Sequence, residues 1–174
     1  MNWNELLQNE IEGTYKGAEL LVGMVEDTQL NWKPATGSNW MTTGQLLMHI
    51  TNACGAPIKG FVTGDWGMPE GMDIKDLKPE EMMPPAEQLP AVASVAEAQK
   101  LLAEDKKTAL EFLAQCNEHD LSTKPAPAPW DDANTILGLR MLQMISHLQI
   151  HKAQLFYYLK LQGKPVNTQH LWTM

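Results

Sequence analysis

A chain of 174 residues, 44% hydrophobic and 20% charged, has the make-up of one folded globular domain spanning 1–174 and is long enough to bury a core. Its formal charge of −8 repels phosphate backbones and anionic lipid, which argues against nucleic acid or a membrane surface as partner. Two cysteines (Cys54 and Cys116), no signal peptide in Met1–Glu5 and no apolar run long enough to span a bilayer lead us to expect a cytoplasmic protein with reduced core thiols.

Apolar residues recur at helical spacing in four segments, and no segment alternates as a strand does. The first helix is expected from Asn2 to Glu26, with Leu6, Leu7, Ile11, Tyr15, Ala18, Leu21, Val22 and Val25 on one face. A loop from Gln29 to Met41 follows, broken by Pro34, Gly37 and Ser38. The second helix starts at Thr42 or Thr43, either of which can cap the free amides, and Pro57 kinks or ends it. Gly64 to Pro90, rich in proline and methionine, is read as a long insertion between the second and third helices, either a lid or a mobile loop.

The third helix opens on Ser94-Val95-Ala96-Glu97, a capping-box pattern, and runs to about Cys116. A second connection from Asn117 to Ala133 carries Pro125, Pro127 and Pro129. The fourth helix spans about Asn134 to Gln162 and stops at Gly163 and Pro165. The expected fold class is therefore all-α, a four-helix bundle.

Chemistry concentrates in the histidines. His147 and His151 stand four apart, which stacks two imidazoles on one helix face, with Cβ atoms about 5–6 Å apart. His49 falls on the inward side of the second helix. One histidine from one helix and an i, i+4 pair from another can build a metal site in a bundle core, and each residue also has a plainer reading as a packed polar group. Three imidazoles on apolar faces need partners, because an unsatisfied buried polar group costs about 1–3 kcal/mol. Gln45, Asn52, Gln143 and Gln154 are candidates to orient the ring N–H groups, with Gln154 favoured by its spacing from His151 and His147.

Ser38-Asn39-Trp40-Met41-Thr42-Thr43-Gly44-Gln45-Leu46-Leu47-Met48-His49-Ile50 resembles the second-helix motif of the DinB-like (YfiT-like) family of metal-binding proteins. Met144-Ile145-Ser146-His147-Leu148-Gln149-Ile150-His151-Lys152-Ala153-Gln154-Leu155, with the Gly163-Lys164-Pro165 helix end, is similar to its second motif. The resemblance implies an up-down-down-up four-helix bundle and a metal triad of His49, His147 and His151 holding zinc or nickel. It also implies a homodimer and, in some members, a low-molecular-weight thiol used in transfer or isomerisation. The insertion at 64–90 departs from the compact family pattern.

Other candidates point elsewhere. Cys54 is expected to be a buried inert thiol, and His119 and His170 to face solvent. Met68, Met72, Met82 and Met83 suit soft copper(I) or, more simply, adaptable packing. Asp131 and Asp132 are read as capping the fourth helix, while Trp40, Trp66, Trp130 and Trp172 line a pocket or a dimer contact. The leading function is a metal-dependent transferase or hydrolase that activates a thiol or water for attack on a small electrophile. The alternatives are a non-catalytic stress protein binding a metal or small ligand, and a bundle with purely structural histidines.

Overall fold

The computed structural model describes residues 2–68, 71–72, 77, 84–131, 133 and 135–172. Among these the chain is helical, with two isolated bridges, Pro125 with Ile136 and Ala128 with Asp131, and no strand. Helix α1 (Trp3–Val22) is started by Asn2, whose side chain accepts from the Glu5 amide while the Glu5 carboxylate accepts from the Asn2 amide. It ends at Gly23, short of the expected Glu26, and a 3-10 turn, Asp27–Gln29, follows.

The expected second helix is two helices. Thr42 caps α2 (Thr43–Ile50), and α3 (Gly55–Thr63) follows after a break at residues 51–54. Pro57 lies in the first turn of α3, where a missing N–H costs nothing because no carbonyl precedes it in register. Thus proline marks a helix beginning here, not an end. Gly55 is required by packing: a Cβ there would lie 2.0 Å from the backbone oxygen of Asp105 on the neighbouring helix.

That neighbour is α4 (Val95–Leu113), capped by Ser94, which accepts from the Glu97 amide. The Glu97 carboxylate reaches past the Ser94 amide to accept from that of Ala93, one residue before the cap, so the expected reciprocity is missed by one residue. The connection after α4 contains a helix that periodicity missed, α5 (Glu118–Thr123), capped by Asn117. At six residues it is too short to show a stripe. Helix α6 (Leu137–Leu161) begins later than expected, because Ile136 is extended and the carbonyl of Thr135 accepts from Ala126. It stops at Gln162 and Gly163, the glycine taking φ +79°. A final short helix, α7 (Thr168–Trp172), packs on α1 and α6.

Helices α1, α4 and α6 pack about one core, closed by α2 and α3 against α6 and by α3 against α4. Leu7, Ile11, Ala18 and Leu21 of α1 meet Leu102 and Ala109 of α4 and Met141, Leu148 and Leu155 of α6 in it, all fully buried. A buried leucine or isoleucine contributes about 1.5–3 kcal/mol each. No helix of the described residues is long and apolar enough to cross a membrane. Of the 64–90 insertion, residues 69–70, 73–76 and 78–83 lie outside the described residues, and Met82, Met83 and Asp132 with them. Its described end holds a 3-10 turn, Ala86–Gln88.

Candidate metal centre

Helix α2 delivers His49 and α6 delivers His147 and His151 to one point. The Nε2 atom of His49 lies 3.2 Å from that of His147 and 2.9 Å from that of His151. All three rings are half-buried. His147 is held by Nδ1, 3.1 Å from the carbonyl oxygen of Ala53 in the break between α2 and α3. His151 is held by Nδ1, 2.7 Å from Oε1 of Gln154, one turn along α6.

These outer partners decide what the inner nitrogens can do. A carbonyl oxygen only accepts, so Nδ1 of His147 carries the proton and its Nε2 offers a lone pair. The Gln154 oxygen assigns His151 in the same way. His49 can then supply at most one N–H to two facing lone pairs. Burial, followed by the neighbouring His151 and His147, pushes His49 down to about 4, and burial also lowers His151, against the opposing bond from Gln154. Neutral imidazoles with converging lone pairs are the form a divalent cation needs.

Separations of 2.9 and 3.2 Å also suit a shared ion. Bonds of about 2.0–2.1 Å place neighbouring ligand nitrogens about 2.9 Å apart at right angles and about 3.4 Å apart in a tetrahedron. The three histidines could hold a metal ion, and they are the one such group of three or more among the described residues.

The other candidates are placed as follows. Gln45 is occupied in capping α2, accepting from the Thr42 amide and donating to the Leu89 carbonyl, so it does not orient an imidazole. Asn52 donates to the Met48 carbonyl, and Gln143 accepts from Arg140. Asp131 does not cap α6: it lies six residues before the helix and pairs with Arg140 at 2.8 Å. Cys54 is buried and Cys116 half-buried, and the two are not bonded to each other. His119 is exposed and His170 half-buried against Asn167. Trp40 is partly exposed and bonded to the Thr36 carbonyl, and Trp172 is largely exposed. Met68 is half-buried and Met72 is exposed.

Sequence reasoning missed a second polar cluster. Asp105, buried on α4, accepts from the amides of Gly55 (3.0 Å) and Ala56 (2.8 Å) and from the Tyr15 hydroxyl (2.6 Å). It is thus the cap of α3, supplied from another helix. Burial raises its carboxyl above the usual range while these bonds pull it down; burial also raises Tyr15 and Cys54.

A family model described as the DinB superfamily matches residues 10–155. The chain belongs to the DinB superfamily. The match takes in His49, His147 and His151 together with Ala53 and Gln154. Comparison with curated proteins and with solved structures gave no match.

Proposed function

We propose that this DinB superfamily chain binds one divalent ion, zinc or nickel, through His49, His147 and His151. With it the protein acts as a thiol-dependent transferase or a hydrolase on a small molecule. The observation that carries this reading is the outward commitment of two Nδ1 protons, to Ala53 and Gln154, which turns their Nε2 lone pairs toward that of His49. His49, His147 and His151 would hold the ion through neutral ring nitrogens, and it would supply Lewis acidity toward a water or thiol.

The chain's own residues supply the rest. Ala53 and Gln154 fix ring tautomer and orientation before any ligand arrives. His147 also faces a cleft through which a substrate reaches the triad. We further read α1, α2 with α3, α4 and α6 as the four members of an up-down-down-up bundle, one domain over 1–174. In this reading the protein works as a cytoplasmic homodimer.

Elemental analysis of protein purified after expression with zinc and nickel available tests the reading. Wild type should carry about one ion per chain, and His49→Ala and His151→Ala essentially none. Negligible metal in wild type, or equal metal in the variants, defeats it. One observation favours a non-catalytic metal or small-ligand binding protein instead: among the described residues, Asn52 and His147 are the polar side chains lining the cleft beside the tryptophans, and neither is a carboxylate base. Turnover of thiol and electrophile pairs by wild type, lost in His151→Ala, decides for the enzyme. A ligand recovered unchanged decides for the binder.

A further inference from the structure

Beside the triad lies a cleft of about 480 Å³, within the range of small-molecule sites. Its floor is Ala56 and Pro57 at the start of α3, and its walls are Trp66, Trp130 and Met144. His147 belongs to both the cleft and the triad, so the two are continuous.

The walls are held in place by two separate devices. Trp66 lies flush on α3 because residue 60 is glycine: a Cβ there would come 2.5 Å from the indole. Trp130 sits on the connection between α5 and α6, and buried Arg140 pins that connection from inside. Its Nε donates to Ala126 O, its Nη1 to the Asp131 carboxylate and its Nη2 to Ala133 O, at 2.8–2.9 Å. The two indoles then meet edge to face at 5.4 Å, and both pack edge-on to Phe61, at 5.0 and 6.0 Å. Even so, Trp130 is left 45% exposed. Trp130 thus lines the cleft from a connection that Arg140 holds, with part of its indole surface accessible.

Among the described residues no Asp, Glu, Lys or Arg lines the cleft, and these walls give a charged group no counter-ion to offset its desolvation. We propose that this cleft takes an uncharged aromatic ring, the body of the substrate, packed against the Trp66–Trp130 pair, leaving the ring's substituent to reach the histidines. Aromatic pairing adds up to about 1.5 kcal/mol beyond area, about tenfold in affinity at that upper end, so a flat ring is selected over an aliphatic one. The substituent's encounter with a metal rests on the function proposed above; the ring's place in the cleft does not.

Two probes keep these apart. By titration calorimetry, 2-naphthol, which needs no metal, should bind wild type about tenfold more tightly than decahydro-2-naphthol. Trp66→Ala and Trp130→Ala should each remove that preference, while Tyr157→Ala, on an exposed face of α6, keeps it. Thermal unfolding of each variant confirms that it is folded. Equal affinity for the two probes in wild type, or a preference that survives in both tryptophan variants, overturns the proposal. On zinc-treated protein, benzohydroxamate should bind about tenfold more tightly than acetohydroxamate. If neither hydroxamate binds but the naphthol result stands, the metal reading fails and the aromatic cleft survives.

Discussion

Two polar clusters sit in this helical core, about Asp105 and about His49, and they solve opposite problems. At Asp105 three donors, the Gly55 and Ala56 amides and the Tyr15 hydroxyl, meet one carboxylate, and the cluster is complete. At the triad, two nitrogens forced to be acceptors by their outer partners face a third ring with one proton to give. A polar cluster whose donors and acceptors match stabilises the fold. One with a surplus of lone pairs is arranged for something the chain does not itself supply.

The contrast breaks most visibly at Asp105. Replacing it with Ala leaves the buried Gly55 amide and Tyr15 hydroxyl, with the part-buried Ala56 amide, without an acceptor; at about 1–3 kcal/mol for each buried donor a loss of about 2–6 kcal/mol is expected. Urea unfolding of metal-free protein measures it, and a loss under 1 kcal/mol would mean that water enters and substitutes. The triad should behave in the reverse sense. Zinc at about a hundred times its dissociation constant should stabilise wild type by about 2.7 kcal/mol, and His49→Ala should remove that response. Calorimetric melting with and without chelator reads it; an unchanged zinc response in His49→Ala would refute the shared site.

Smaller changes sharpen the comparison. Gln154→Ala frees the Nδ1 of His151 and should weaken zinc binding about 10–100-fold while leaving metal-free stability unchanged. Competition with a chromophoric chelator measures that affinity, and equal affinities would demote Gln154 to a surface amide. Tyr15→Phe removes one bond of three at Asp105 and should cost about 1 kcal/mol without touching zinc affinity. A drop in zinc affinity in that variant would show that the clusters are coupled, an outcome the separate bonding does not anticipate.

What could be read from residue order was local. Thr42 and Ser94 announce helix starts and Gly163 a stop because capping and left-handed backbone involve residues within one turn. His147 and His151 could be paired because a helix repeats every 3.6 residues, and Gln154 came within reach of His151 by the same arithmetic. The break between α2 and α3 escaped because its amides are capped by Asp105, fifty residues on. Arg140 escaped likewise, since its partners at Ala126, Asp131 and Ala133 lie on an irregular segment with no period to read. Short-range hydrogen bonding and periodicity are written in the order of residues. Which lone pairs converge, which carboxylate closes which helix and which indoles wall the cleft depend on how separate helices meet, and that follows from the packing of the whole core.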